Sequence, residues 1–274
     1  MEEDGSLQEV ATTGGAPCGL AVDHTNALHV CDLAHAAVLL LKDEVVVASG
    51  SAAAAGGGGK PGSGGGAHAH AHHSHHGSAG APLVVVNEYE GKSLRGPNSA
   101  CFDSAGQLFF TDSGPLGETG LLERKGSVFV VTGEANTRLL RPLAYESLAH
   151  PAGICLNAEE NAVFVSEMAA NRVLRFVQRP AGVWHASVFH QFAGRLGPTA
   201  LAFDGAHGHL YVARYELPEL AERGLVSVLS AADGSLVREI VVAGPEVTGL
   251  ALSPDGDVLV VSEATGNTIT KVVL

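Results

Sequence analysis

Short apolar runs that alternate with polar turns recur along the chain. Residues 151–167 read PAGICLNAEENAVFVSE, a run of small and apolar residues, a turn of Asn and Glu, and a second run rich in Val and Phe. Similar units begin at Pro17, Pro97, Pro198 and Val247. Apolar runs of this length bounded by turn residues are typical of β-hairpins. The pattern therefore predicts an all-β chain made of repeated antiparallel strand pairs.

The spacing of these units indicates the architecture. Their starts are 80, 54, 47 and 49 residues apart, and the first step shortens to about 46 when a 34-residue insertion is left out. Further apolar runs follow each pair, so four strands occupy a length typical of a β-propeller blade. A β-sandwich or a β-helix is the alternative, but the repeat is too long for one coil of a β-helix. We predict a single β-propeller over residues 1–274 with five recognisable four-stranded blades, closed into a ring by an N-terminal strand at Leu7–Thr12.

The insertion, residues 49–82, differs in kind from the rest of the chain. It contains eleven Gly and six His but no large apolar residue. A segment of this composition cannot bury enough surface to offset its chain entropy, so we predict a disordered Gly/Ala/His-rich loop within the first blade. Clustered imidazoles can take up zinc, but metal sites hold their ligands in fixed geometry, which a Gly/Ala tract does not supply.

Composition and charge narrow the classes of function. The chain is 46% hydrophobic, contains 35 Gly, and carries a formal net charge of −13. This charge argues against nucleic acid or an anionic membrane surface as a partner. The N-terminus lacks the pattern of a secretory signal, and no apolar run is long enough to span a bilayer. The four Cys show no CxxC spacing, so we expect reduced, mostly buried thiols in an intracellular, cytoplasmic protein.

Two blades carry a family resemblance. The stretch PAGICLNAEENAVFVSEMAANRVLRF, residues 151–176, resembles the hallmark blade of the strictosidine synthase-like proteins. The stretch GPNSACFDSAGQLFFTDSG, residues 96–114, resembles the preceding blade of that group and of the related gluconolactonase and regucalcin family. The resemblance covers residues 16–48 and 83–274 and implies a propeller, normally of six blades, from a superfamily of calcium-dependent lactonases and esterases.

The resemblance also implies four positions for the ligands of a central metal ion. They correspond here to Gly15, Asn98, Ala152 and Thr199, so Asn98 is the one retained ligand and both carboxylates of the family set are replaced. A calcium ion usually takes six to eight oxygen ligands, several of them charged. We therefore interpret the metal centre as degenerate and expect no cofactor, with calcium binding only if other side chains rebuild the site.

Two residues are candidates for acid/base chemistry. In strictosidine synthase a Glu near the start of a late inner strand acts as the acid/base, and the resemblance places Glu246 approximately there. A carboxylate in an apolar pocket suits this role because burial raises its pKa, although a solvated turn Glu is the alternative. His150, directly before Pro151, could point into the central channel or serve as a structural residue.

Charged residues also recur at the end of the second strand of successive units. They are Asp112, Glu167, Arg214 and Glu263. If the register repeats around the ring, these side chains line one rim, and we expect solvated strand ends there.

The favoured functional interpretation is a binding or scaffolding module in a protein complex. The alternative is an enzyme, either a hydrolase of small esters or lactones or a strictosidine synthase-like condensing enzyme, with a non-standard centre. A protein partner would contact the loops at residues 114–126 and 214–224, which mix Leu with charged residues, and the candidate contacts are Leu121, Leu122, Glu219 and Glu222. Packing of these loops onto the propeller is the alternative for them. A small molecule could also occupy the central channel.

Overall fold

The computed structural model describes residues 11–41, 81–133, 137–195 and 197–274. Residues 49–80 of the predicted insertion, and Leu7–Val10 of the predicted closing strand, lie outside the described residues. Ala11 and Thr12, the remainder of that strand, are described and belong to no strand.

The first two blades are four-stranded antiparallel sheets. The first contains β1 (Pro17–Val22), β2 (Leu28–Asp32), β3 (Ala37–Leu40) and β4 (Leu83–Val86). A short hairpin of β5 (Glu88–Tyr89) and β6 (Lys92–Ser93) follows. The second blade contains β7 (Pro97–Phe102), β8 (Leu108–Asp112), β9 (Gly126–Thr132) and β10 (Leu139–Leu148).

The remaining three blades repeat this order. The third contains β11 (Pro151–Leu156), β12 (Ala162–Glu167), β13 (Arg172–Gln178) and β14 (Trp184–Gln191), with 3₁₀ turns at Met168–Ala170 and Pro180–Gly182. The fourth contains β15 (Gly197–Asp204), β16 (His209–Tyr215), β17 (Gly224–Ser230) and β18 (Leu236–Val242). The fifth contains β19 (Val247–Leu252), β20 (Val258–Glu263) and β21 (Thr268–Val273).

These five sheets form the blades of a propeller. The innermost strands contact one another in the order β1, β7, β11, β15 and β19 around a central channel. The prediction of an all-β propeller with five blades is confirmed. Within the described part of the chain the first four sheets have four strands and the fifth has three.

The hydrophobic core consists of layers between neighbouring blades. Phe110 and Phe129 of the second blade stack on each other, with 5.4 Å between their ring centroids, and both pack against residues of the first blade. Phe164 of the third blade meets Phe203 of the fourth at 5.9 Å. The β-branched and aromatic residues of the second and third strands supply most of these layers, because alternate side chains of a strand reach opposite faces of its sheet. Each blade is therefore held in place mainly by its neighbours.

All four Cys are free; Cys31 and Cys155 are buried, whereas Cys18 is exposed in the central channel. In the described ranges no helix has the length and apolar character needed to cross a bilayer.

Candidate functional site

An irregularity at the same place in every inner strand shapes the central channel. The pairing between the first and second strands shifts just after Pro17, Pro97, Pro151, Pro198 and Val247. A bulge of this kind bends the strand and redirects the side chains beside it. Residues one to three places after these positions reach the channel from all five blades.

The channel is small and lined by uncharged groups. Its volume is about 310 Å³. Cys18, Asn98, Thr199 and Thr248 line it from four blades, whereas Ala152, at the equivalent position of the third blade, is buried. Among the described residues, the lining contains no carboxylate, imidazole, ammonium or guanidinium group.

Glycine sits where neighbouring inner strands approach most closely. A Cβ at Gly153 would overlap the carbonyl oxygen of Thr199 and lie 2.8 Å from Ala200 Cα. A Cβ at Gly19 would meet the Asn98 carbonyl oxygen and lie 2.8 Å from Ser99 Cα. These two glycines let adjacent blades come close enough to keep the channel narrow.

Hydroxyl groups tie adjacent blades together around the channel. Thr111 Oγ1 accepts a hydrogen bond from the Ser99 N–H at 3.1 Å and donates to the Ala152 carbonyl of the next blade at 2.6 Å. Ser166 Oγ likewise accepts from the Gly153 N–H and donates to the Thr199 carbonyl, both at 2.7 Å. The bulged backbone of the channel wall is thus fixed by side chains that sequence reasoning did not single out. The sequence contains a pattern that could have identified them: Thr111 directly precedes Asp112, and Ser166 directly precedes Glu167, at the end of the second strand.

The charged residues at the ends of the second strands are buried, which corrects the expectation that they are solvated. Asp32, Asp112, Glu167 and Glu263 are at most 4% exposed. Each accepts hydrogen bonds from backbone N–H groups of the segment that leads into the inner strand of its own blade, from Ala16, Gly96, Ala149 and Glu246 respectively. A buried carboxylate needs such partners to offset its desolvation. These acids close each blade and do not line a rim.

The balance between burial and hydrogen bonding differs among these acids. Burial raises the pKa of Asp32, but bonds from Thr13, His35 and Ala16 outweigh it and lower the pKa to about 2. Burial also raises the pKa of Glu263, and its bonds to the segment 264–266 and to Glu246 again produce a net lowering. In Asp112 burial prevails, so its pKa is raised despite the N–H bonds from Arg95 and Gly96.

Arg214 replaces the acid in the fourth blade. It is 4% exposed, and its guanidinium carbon lies 3.6 Å from the ring centroid of Phe192. Burial lowers the pKa of this guanidinium to about 10. Stacking on an aromatic face is a favourable setting for a desolvated guanidinium.

Glu246 lies directly before β19 and is half-buried, and it is absent from the residues that line the channel. Its carboxylate accepts hydrogen bonds from Tyr215 Oη and from Thr265 Oγ1, both at 2.8 Å. Burial, followed by the bond to Glu246, raises the pKa of Tyr215 to about 12. Glu246 is therefore anchored within a small network, and its candidacy as an acid/base stays a prediction.

Asn98 and His150 occupy different surroundings. Asn98 reaches the channel, and its Nδ2 donates to Ser113 Oγ at 3.3 Å. His150 is 5% exposed, has a positive φ of 55°, and its Nδ1 has no hydrogen-bond partner among the described residues. His150 is absent from the lining of the channel that Asn98 enters.

Calcium does not fit the described lining of the channel. A calcium site collects six to eight oxygens, usually with several carboxylates, whereas this lining offers the Asn98 amide and hydroxyl groups. Thr199 Oγ1 already donates to the Val247 carbonyl at 2.8 Å, and Thr248 Oγ1 bonds to Ser262 Oγ at 3.1 Å. Within the described ranges no group of three or more His, Cys, Asp or Glu could hold a metal ion.

The predicted contact residues lie on two loops of one face. The loop at 114–126 follows β8 and the loop at 214–224 begins at the end of β16, and both strands run toward the same end of the propeller. Leu121 is 55% exposed and Leu122 is fully exposed. Glu219 and Glu222 are exposed on the second loop.

A family model described as SMP-30/gluconolactonase/LRE-like region matches residues 35–265. The chain belongs to this family. The lactonase drp35 of Staphylococcus aureus (strain MRSA252) is 31% identical over 118 residues, which are 42% of this chain and 34% of that protein. The chain thus spans about a third of the length of that curated relative.

Solved structures agree on the fold of this SMP-30/gluconolactonase/LRE-like chain. A putative gluconolactonase superposes with a TM-score of 0.68 at 18% identity, over 98% of this chain and 79% of its own. Regucalcin from Agrobacterium tumefaciens, described as a calcium-binding protein, gives a TM-score of 0.60 at 18% identity, over 92% of this chain and 72% of its own. At this level of identity the likeness establishes the propeller fold alone.

Proposed function

We propose that this propeller is a binding module that docks a protein partner through the face carrying the loops at 114–126 and 214–224. One observation carries the proposal. Five leucines on these two loops are between 43% and 101% exposed, namely Leu116, Leu121, Leu122, Leu217 and Leu220. Apolar side chains that project from loops of a rigid scaffold are typical of interaction sites.

Charged residues surround these leucines. Glu123 and Lys125 form an ion pair at 2.8 Å on the first loop, and Glu219 and Glu222 lie beside Leu220 on the second. Arg195, from the segment before β15, donates to the Leu220 carbonyl at 3.0 Å and so holds the second loop in place. An apolar centre with a polar rim is the usual composition of a protein interface.

The channel supports binding more than hydrolysis. Its described lining is uncharged, and each buried acid of the blade ends accepts hydrogen bonds from backbone N–H groups. A metal-assisted hydrolase needs a cation that polarises the ester carbonyl and stabilises the oxyanion. The resemblance implies that the side chains that would hold such a cation correspond to Gly15, Ala152 and Thr199, none of which provides a carboxylate or an amide.

The experiment compares partner binding by paired variants. A partner is first identified by co-purification, produced separately, and titrated against the purified propeller. We expect Leu121→Ser with Leu122→Ser, and separately Glu219→Lys with Glu222→Lys, to weaken binding at least about tenfold. The matched control is Leu236→Ser with Val237→Ser, which alters an apolar pair on β18 that is 51% and 50% exposed. Equal loss in the control, or unchanged binding by both loop variants, would refute the proposal.

A second candidate function is hydrolysis of small esters or lactones. The family match and the lactonase relative favour it. In that case the channel would take the substrate, with Asn98 as a binding residue and Glu246 as an acid/base. Lactone hydrolysis should be measured with and without calcium for the wild type, Asn98→Ala and Glu246→Gln.

The two candidates give opposite results in this assay. The binding proposal expects no turnover above buffer, no calcium site tighter than millimolar by calorimetry, and no change in Tm on chelation. Turnover that both substitutions remove would make the hydrolase the better description of this chain. A micromolar calcium site would show in addition that other side chains have rebuilt the metal centre.

A further inference from the structure

A cavity of about 280 Å³ lies between the β5–β6 hairpin and the second blade. It is separate from the central channel, since the residues that line the two have none in common. Most ligand pockets for drug-sized molecules measure about 300–1,000 Å³. A cavity of this size therefore suits a smaller molecule.

Tyrosine rings form one wall of the cavity. Tyr89, on the hairpin, packs with its ring centroid 5.3 Å from that of Phe129 and 5.2 Å from that of Tyr145. These contacts fix the hairpin on the second blade and leave both tyrosines on the cavity surface. An aromatic wall of this kind offers apolar area and a face for a cationic group.

Part of the charge in the cavity is already paired. Arg95 Nη2 lies 3.3 Å from Glu146 Oε1. Glu146 has a positive φ of 42° and its N–H donates to Ser127 Oγ at 2.9 Å. This pair belongs to the cavity wall and is held in position by the backbone.

Two exposed, oppositely charged side chains on different walls form no ion pair among the described residues, although Glu146 and Glu90 act on Lys92 electrostatically. Lys92 is on the hairpin, and its Nζ donates only to Tyr145 Oη, at the long distance of 3.4 Å. Glu118 is on the loop that follows β8, and its carboxylate makes no hydrogen bond or ion pair within the described part of the chain. No ion pair joins Lys92 and Glu118 across the cavity, although both line it.

Asp112 adds a desolvated carboxyl group to the same cavity. It is 3% exposed and lines the cavity beside Ser127. The equivalent acids Asp32 and Glu263 have lowered pKa values, whereas burial leaves the pKa of Asp112 raised. Its oxygens already accept hydrogen bonds from the Arg95 and Gly96 N–H groups, and a cationic group in the cavity would add a charged partner to them.

We propose that this cavity binds a small zwitterion of the size of a free α-amino acid. Lys92 receives the ligand carboxylate, and the ligand ammonium lies between Glu118 and Asp112. The tyrosine wall of Tyr89 and Tyr145 contacts the side chain of the ligand. The site shares Glu118 with the loop at 114–126, but it depends neither on a bound protein partner nor on any chemistry in the channel.

The test is calorimetric titration of the full chain with the common α-amino acids, followed by variants. We expect at least one amino acid to bind, and its deaminated acid and its decarboxylated amine each to bind at least about tenfold more weakly. Lys92→Met and Glu118→Gln should each weaken binding of the amino acid at least about tenfold. The matched controls are Glu88→Gln, on the same hairpin but outside the cavity lining, and Lys271→Met on β21.

Each contrary result overturns the proposal. Absence of binding by every amino acid shows that the cavity is not such a site. Equal binding of the amine alone shows a cation site without a carboxylate contact. Binding that persists in both Lys92→Met and Glu118→Gln places the ligand elsewhere on the molecule. Circular dichroism of the variants establishes that loss of binding does not follow from loss of fold.

Discussion

The Asp112 carboxylate accepts a hydrogen bond of 2.8 Å from the backbone N–H of Gly96, sixteen residues earlier in the chain. The Arg95 N–H donates to the same carboxylate at 3.0 Å. Both donors directly precede β7, so the end of the second strand holds the start of the first strand in the same blade. Asp32, Glu167 and Glu263 make the equivalent contact in three other blades.

Replacing Asp112 with Asn should destabilise the propeller. An amide can offer only one acceptor oxygen to the two N–H groups, and its NH2 group would face a donor. Loss of a buried hydrogen bond of this kind costs about 1–3 kcal/mol. Urea unfolding of Asp112→Asn should show this loss, whereas Asp257→Asn, at an exposed turn, should stay within about 0.5 kcal/mol of the wild type. Equal midpoints for the two variants would show that the contact does not stabilise the blade.

Much of this fold could be predicted from the sequence, because each blade carries the same local signals. The proline-led inner strand, the polar turn and the Val-rich second strand at 151–167 are short-range features that apolar runs bounded by turn residues reveal. The burial of Asp32 and Asp112 could not be predicted in this way. A charged residue at the end of a strand is usually solvated, and here burial depends on N–H groups sixteen residues distant.

Gly153 should not tolerate a side chain. A methyl group there would overlap the Thr199 carbonyl oxygen and lie 2.8 Å from Ala200 Cα, and backbone atoms cannot move aside as a flexible side chain can. We expect Gly153→Ala to cost about 1–3 kcal/mol, as overpacking usually does. Gly120→Ala is the matched control, because the nearest atom to its added methyl is 4.0 Å away. Chemical denaturation of both variants checks the difference, and similar stabilities would mean that the inner strands can separate.

The candidate site was predicted only in part, for a geometrical reason. Asn98 is in the channel because its place after Pro97 repeats in every blade, which the sequence shows. The partners of Glu246 are less accessible to sequence reasoning, because Tyr215 and Thr265 come from 31 residues before it and 19 residues after it. The bulge that redirects Cys18 and Thr199 toward the channel also cannot be recognised from the pattern of apolar and polar residues.

The contact between Tyr215 and Glu246 should contribute measurably to stability. Tyr215→Phe removes the 2.8 Å hydrogen bond to the carboxylate and leaves it with the Thr265 hydroxyl. A hydrogen bond to a charged acceptor is worth about 1.5–3 kcal/mol, and partial exposure of Glu246 places the expected loss at the lower end. Thr265→Ala removes the hydrogen bond from the Thr265 hydroxyl to Glu246 and keeps the hydrogen bond from Tyr215. If the double variant loses no more than either single variant, the two hydroxyls act as one coupled network.

His150 should make the stability of the propeller dependent on pH. It is buried with φ 55°, and burial lowers its pKa in the folded state. The unfolded chain, with an ordinary histidine pKa of about 6.5, therefore binds a proton at a higher pH than the folded chain does. Stability is then lost as pH falls below about 6.5, with a limiting slope of about 1.4 kcal/mol per pH unit for each such histidine.

Urea unfolding from about pH 7 to pH 5 measures this effect, because the carboxylates with lowered pKa values, such as Asp32, lose their contribution only below about pH 4. The raised pKa of Asp112 acts in the opposite direction and is common to the wild type and the histidine variants, so the comparison between them removes it. His29 is also buried with a lowered pKa, so the wild type has two groups that act in this window. His150→Asn is the informative variant, since Asn tolerates positive φ and carries no proton to titrate. We expect a flatter slope for His150→Asn than for the wild type, and an unchanged slope for His185→Asn on the exposed side of β14. If His150→Asn keeps the full slope, the acid sensitivity comes from other groups and His150 binds its proton equally in the folded and unfolded states.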